Sequence, residues 1–235
     1  GNTIYTGAYR EFGFWKRNDF GTLNYTSLSQ KIKESLLEED FWNIIHFENS
    51  IIFQSMRRLY IYNTIDESFK IISEAELSKV FLVDGSIYFQ KKNEGIFKIE
   101  NGNSVLISDD AIFTSNVLIN IIKIDKRVLF QTQLRGFYYF DKNKITKWAI
   151  PANSLLSKVS VYSSVQLRDG SLVLGTISNG IFHLDANGDF LSQINQEKGL
   201  NNNTVLSLFE DKEANTWLGL DNGISVINFD SPIVL

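Results

Sequence analysis

The sequence predicts an all-β fold, a β-propeller of four-stranded blades. Three observations carry that prediction. First, one pattern recurs six times: an apolar strand, a polar turn, an anchor strand, a short loop and a glycine-led strand. Its anchors are Gly7, Gln54, Gln90, Gln131, Gly175 and Gly219, spaced 36 to 47 residues apart, a period typical of propeller blades. Second, 43% of residues are apolar and 13% aromatic, with only two prolines and one methionine, a balance that favours strands. Third, one four-stranded meander cannot bury both its faces, whereas blades stacked on one another can.

The elements of each copy can be read in order. The opening strands are "WNIIHF", "VFLV", "INIIKI", "VYSSV" and "VLSLF". The polar turns after them are "ENS", "DGS", "DKR", "RDGS" and "EDKEAN". Asp-Gly and Asn-Gly supply the positive φ that tight hairpins need. The anchor strand follows, then a loop, then Gly13-Phe14, Gly95-Ile96, Gly136-Phe137, Gly180-Ile181 or Gly223-Ile224, with Arg58 in the glycine slot of the second copy. A second turn, such as "ENGN" or "DANGD", leads to a weaker fourth strand. The first copy lacks an opening strand and the last stops after its third, so about five and a half blades are visible across residues 1–235. Helical periodicity is confined to Ser27–Trp42, which reads as an amphipathic insertion.

Composition narrows the function. A net charge of -4 gives no hint of a nucleic-acid-binding surface. With no cysteine there is no disulfide, thiolate nucleophile or cysteine metal site. No apolar run approaches the ~18 residues of a membrane span. Catalytic signals are sparse: His46 and His183 lie in separate strand patterns, and no metalloprotease, nucleophile-elbow or phosphate-loop motif occurs. No catalytic residue, metal or cofactor is therefore expected. The turn "EDKEANTW" only partly follows the repeated aspartate turn of propeller sialidases, and Trp217 reads as an inter-blade core residue.

The expected recognition surface is the set of loops between second and third strands, which share one end of their blades. They carry Tyr9, Arg10, Arg57, Arg58, Lys91, Lys92, Arg135, Asn179 and Asp221, with Trp15 as a further aromatic surface. Guanidinium forks suit carboxylates and sulfates, so an anionic or polyhydroxylated ligand is expected here. Gln54, Gln90 and Gln131 recur at one slot; they either line a channel or hydrogen-bond between blades, and burial of an amide favours the latter.

The stretch "GLNNNTVLSLFEDKEANTWLGLDNGISVIN" (Gly199–Asn228) resembles the two-component-regulator propeller repeat. The matching features are Gly199-Leu200, Asn203, Val205, Ser207, the Glu210-Asp211 turn, Trp217-Leu218-Gly219 and Asn222-Gly223-Ile224. "IYTGAYREFGFW" and "YTSLS" are similar to an early blade of the related one-piece regulators. Gln54, Gln90 and Gln131 depart from the favoured glycine, and Ala214 from the usual turn glycine. The resemblance implies a seven-bladed ring, a neighbouring propeller and a triple-tyrosine immunoglobulin-like domain in a longer chain. It further implies a periplasmic location, a homodimeric membrane-spanning regulator with a histidine-kinase or DNA-binding output, and sensing of oligosaccharides or other nutrients. A carbohydrate-active propeller enzyme and a pure assembly module are the alternatives.

Overall fold

In the computed structural model, the described residues are 3–32, 36, 38–73, 77–100, 103–124, 127–141 and 144–230. They form two compact units, Gly1–Ser115 and Asn116–Leu235, each with three antiparallel sheets. The six sheets are the blades of a β-propeller.

In the first unit, blade 1 holds β1 (Thr3–Ala8), β2 (Glu11–Arg17) and β3 (Leu23–Ser27). Blade 2 holds β4 (Asn43–Phe47), β5 (Ser50–Gln54), β6 (Arg58–Asn63) and β7 (Phe69–Ser73). Blade 3 holds β8 (Leu77–Val83), β9 (Ser86–Lys91), β10 (Gly95–Glu100) and β11 (Asn103–Ser108). In the second unit, blade 4 holds β12 (Leu118–Ile124), β13 (Arg127–Thr132), β14 (Gly136–Asp141) and β15 (Lys144–Lys147). Blade 5 holds β16 (Val161–Gln166), β17 (Leu172–Thr176), β18 (Ile181–Leu184) and β19 (Phe190–Ile194). Blade 6 holds β20 (Val205–Glu210), β21 (Asn215–Leu220) and β22 (Ile224–Asn228).

The blade count corrects the expectation. The described residues build six blades, not five and a half, and not the seven that the resemblance implied. Among the described residues blades 1 and 6 have three strands each, and each packs on a neighbouring blade. Phe12 of blade 1 lies 4.5 Å, centroid to centroid, from Phe53 of blade 2. Of the expected insertion Ser27–Trp42, residues 33–35 and 37 lie outside the described residues. Ser29–Lys31 form a 3-10 turn that ends at Ile32 in extended backbone.

Burial on both faces explains the continuous apolar runs of the anchor strands, which would otherwise alternate. In β17, Leu172 and Leu174 pack with Leu129 and Phe137 of blade 4. Val173 between them packs with Val205 and Leu218 of blade 6. In β5, Phe53 faces Phe12 of blade 1 while Ile52 faces Val80 and Phe89 of blade 3. Gly180 shows why the third strand opens on glycine: its φ is +72°, and a Cβ would strike the carbonyl oxygen of Ile194. Gly13 does not share that slot. Phe12 pairs with the anchor Gly7, as Ile181 pairs with Gly175, so Gly13 lies two residues further along its strand.

Two of the three glutamines join blades, and Gln90 ties blade 3 to the helical turn Ala111–Thr114 that follows it. Gln54 Oε1 accepts from Val80 N–H at 2.9 Å, and Asn43 Nδ2, on the paired position of β4, donates to Val80 O at 3.0 Å. The two amides extend a peptide-like ladder onto the opening strand of blade 3. Gln131 accepts from the Ser164 hydroxyl, and Asn120 Nδ2 donates to Ser164 O at 3.0 Å, between blades 4 and 5. Gln90 Nε2 donates to Phe113 O at 2.6 Å. All three glutamines are buried. Where the anchor is Gly175, Ser163 Oγ instead donates to Val205 O at 3.0 Å, and a Cβ on the glycine would collide with that hydroxyl.

Candidate functional site

The loops expected to recognise a ligand divide between the two units. Those of blades 1 to 3 carry Tyr9, Arg10, Arg57, Arg58, Lys91 and Lys92; those of blades 4 to 6 carry Arg135, Asn179 and Asp221.

Several loops are braced by a hydroxyl directly after the anchor. Ser55 Oγ accepts from Arg57 N–H at 3.3 Å and Arg58 N–H at 3.0 Å. Thr132 Oγ1 accepts from Arg135 N–H at 3.1 Å and donates to Gly136 O at 3.0 Å. Thr176 Oγ1 accepts from Asn179 N–H at 2.9 Å and donates to Gly180 O at 2.8 Å. The three braces are fully or almost fully buried. They close each loop on its own strands. This role was missed in the sequence, although a Ser or Thr one residue after the anchor marks it.

In the first unit the loops of blades 1 and 2 meet at Glu39. Tyr9 forms a bridge with Asp40, and Arg10 N–H donates to Glu39 O at 2.7 Å. Arg10 holds φ at +58°, which the two-residue turn demands. From blade 2, Arg58 Nη1 donates to Glu39 Oε1 at 2.8 Å and contacts Tyr60 Oη at 3.1 Å. Tyr60 Oη also donates to Glu39 Oε1, at 3.0 Å. Burial of the Tyr60 ring and the adjacent Glu39 carboxylate push its phenol up to about 12. Arg58 is thus held inward.

Arg10, Arg57 and Lys92 are exposed, and Tyr9 stands 58% exposed beside Arg10, whose guanidinium lies 5.9 Å from the ring centre. Lys91 is buried, its Nζ 4.1 Å from the Phe97 ring centre. Trp15 is not brought to the loop. It lies four residues along β2 from the hairpin, roughly 13 Å away at strand rise, with its ring 4.9 Å from that of Tyr25. In the second unit Arg135 and Asp221 are exposed and Asn179 is half-buried.

Elsewhere, Asp169, Ser171 and His183 form a chain. Ser171 Oγ donates to Asp169 Oδ1 at 2.7 Å, and His183 Nε2 lies 3.0 Å from the same hydroxyl. Because Ser171 spends its proton on the aspartate, the imidazole must donate. Ser171 is 4% and His183 8% exposed, so the hydroxyl is not presented to solvent. Nearby, a cleft of about 310 Å³ is lined by Leu167, Arg168, Glu210 and Phe229. Its guanidinium is committed to the carbonyls of Lys212 and Asp211. Among the described residues, no three His, Cys, Asp or Glu side chains are placed to hold a metal.

Trp217 corrects another expectation. It is 43% exposed, and its Nε1 donates to Asp211 Oδ2 at 2.7 Å. Leu218, one residue on, takes the core position. Asp211 also accepts from the N–H groups of Glu213 and Asn215, both at 2.9 Å. The Trp217 bond, with those from the turn, pulls the Asp211 carboxyl down to about 2.

The architecture has close counterparts among solved structures. The extracellular domain of BT4673 of B. thetaiotaomicron, described as a one-component and as a hybrid two-component system, superimposes with TM-scores of 0.73 and 0.72 at 17% and 18% identity. The chain has the fold of these extracellular domains. They match the regulator propeller that the repeat resembles. The alignment covers 98% of this chain and about a third, 32% and 31%, of those chains. PorZ, a surface component of the type-IX secretion system of Porphyromonas gingivalis, matches with a TM-score of 0.63 at 12% identity, covering 96% of this chain and 38% of PorZ. No family model and no curated protein matches the chain. No helix among the described residues is long and apolar enough to cross a membrane.

Proposed function

We propose that the chain is a non-catalytic, extracytoplasmic sensing module of a membrane-spanning regulator, and that its ligand is an anionic or polyhydroxylated small molecule such as an oligosaccharide. The observation that carries this is the loop end of blades 1 and 2. Exposed Arg10 stands beside the exposed ring of Tyr9, and exposed Arg57 lies on the neighbouring blade 2 loop, on turns fixed by Glu39 and Ser55. Loops held on a rigid scaffold are where recognition commonly sits. Likeness of fold to extracellular domains of two-component systems supports the setting; fold alone is a weak warrant for function.

In the intact regulator this module would sit in the periplasm next to a further propeller and a triple-tyrosine domain, in a homodimer. Binding would bias the output only through different affinities for two arrangements.

A thermal-shift screen of the purified chain against neutral and acidic oligosaccharides tests the reading. A ligand at about 100 times its Kd adds roughly 2.7 kcal/mol of stability. The triple variant Arg10→Glu, Arg57→Glu, Lys92→Glu should abolish the shift from an acidic ligand. A shift unchanged in that variant overturns the site, and no shift with any member of the screen overturns the sensing role.

A further inference from the structure

The loop end of blades 1 and 2 holds an exposed aromatic surface that the sequence pattern did not single out. The connector between the two blades runs back along the blade 1 hairpin. Tyr9 bridges to Asp40, and Phe41 N–H donates to Ala8 O at 3.3 Å. Gly7 lets the connector approach, since a Cβ there would lie 2.7 Å from Phe41 Cβ. Phe41 turns into the core, its ring 4.6 Å from that of Phe12. Trp42 does the reverse. Its N–H is fixed to Gln54 O at 3.1 Å, which seats it beside the end of β5, yet it is 71% exposed. It lies two residues beyond the Tyr9–Asp40 bridge, roughly 7 Å of extended chain. Met56, two residues past Gln54 in the blade 2 loop, is 62% exposed, and exposed Arg57 follows it. Among the described residues neither Arg10 nor Arg57 has a carboxylate partner, unlike Arg58.

The chemistry of this surface selects a ligand. Single exposed apolar residues need no explanation, but rings gathered with cations mark recognition. A specific protein interface takes about 20 to 30 residues a side. This surface offers Tyr9, Arg10, Asp40, Trp42, Met56 and Arg57, the scale of a small ligand. A pyranose fits it. The C–H face of the sugar lies on an indole or phenol ring, and the hydroxyls of its rim meet Asp40 as acceptor and the guanidinium groups as donors. A carboxylate on that sugar takes the guanidinium fork. A compact inorganic anion or a ring-less carboxylate would leave Trp42 without a role.

We infer, resting on the sensing role proposed above, that the ligand of this loop end is a uronate, a pyranose that bears a carboxylate. It stacks on the surface made by Trp42 and Tyr9, while Arg10 and Arg57 supply the charge that takes its carboxylate. Trp42 is the residue that makes the site read a ring rather than charge alone.

Isothermal titration calorimetry of the purified chain tests this with uronate trimers (of galacturonate, mannuronate and guluronate), the neutral trimer galactotriose, and tricarballylate, a tricarboxylate without a ring. The wild-type chain should bind at least one uronate trimer about tenfold or more tighter than galactotriose and tricarballylate. Trp42→Ala should lose about tenfold or more of that affinity, and Trp42→Phe, which restores a ring, should recover most of it. Because Trp42 lies in water, both variants should keep the thermal midpoint of the unliganded chain. Absence of binding by every uronate trimer overturns the inference. So does equal affinity for galactotriose or tricarballylate, or an unchanged affinity in Trp42→Ala. Uronate binding that survives Trp42→Ala but is lost in the triple variant of Arg10, Arg57 and Lys92 removes the stacking surface and leaves the sensing site standing. A neutral oligosaccharide that binds where uronates do not overturns the uronate and leaves the sensing role. No response to any member of the wider oligosaccharide screen overturns both.

Discussion

Arg58 Nη1 lies 2.8 Å from Glu39 Oε1, and this pair ties the loop end of blade 2 to the segment beneath the blade 1 hairpin. Glu39 is 7% exposed, and its Oε2 has no hydrogen-bond partner. A carboxylate so placed depends on the charge that faces it. Arg58→Ala should therefore cost about 3 kcal/mol or more, the toll of leaving a buried charge without its counter-ion. Arg57→Ala, one residue earlier and exposed, should stay within about 0.5 kcal/mol. Denaturant midpoints of the two variants measured side by side check the contrast. Equal losses would show that the pair does not anchor the loop.

Gln54 should matter in the same way through hydrogen bonds. Gln54→Ala removes the acceptor facing Val80 N–H and leaves a buried donor, at about 1 to 3 kcal/mol. Hydrogen exchange at Val80 should speed up in that variant while exchange in β16 and β17 of the second unit is unchanged.

Ala214 holds φ at +61° in the turn that Asp211 organises. An L-residue in that conformation costs roughly 1 to 2 kcal/mol, partly offset by the greater freedom glycine has when unfolded. Ala214→Gly should raise stability by up to about 1 kcal/mol, seen as a higher midpoint with an unchanged denaturant slope. A lower midpoint would mean that the methyl group is making contacts worth more than the strain.

His183 supplies a pH signature. Burial pushes its imidazole below the ordinary 6.5, with Asp169 opposing the shift. The unfolded chain therefore takes up a proton first as pH falls, so the folded state loses stability from about pH 6.5 downward to the lowered value. Comparing midpoints at about pH 7.5 and 5.5 should show a drop that shrinks in His183→Gln. An identical drop in that variant would place its origin elsewhere.

The spacing of Gly175 and Gly219, with the apolar strands and polar turns around them, was enough to define the repeat, the strand order and the blade architecture, because hairpin chemistry is local. Local pattern also misled where the pairing register mattered. Gly13 looked like the third-strand glycine, yet a loop one residue shorter leaves it two residues past that slot. Trp217 looked like core because Trp is large and apolar, but alternation turns it away from the face that holds Leu218, and Asp211 takes its N–H. The outward set Tyr9, Arg10 and Arg57 was legible as loop residues. The partner of Arg58 was not, since Glu39 lies nineteen residues away and no sequence period links them.

The sequence by itself determined that this chain folds as repeated β-meanders whose faces must be hidden by stacking. Only the tertiary structure decided how many layers the described residues build and which cations are spent inside. Those are questions of what one segment meets from another, and side-chain burial and charge pairing across blades are fixed only when distant strands arrive together.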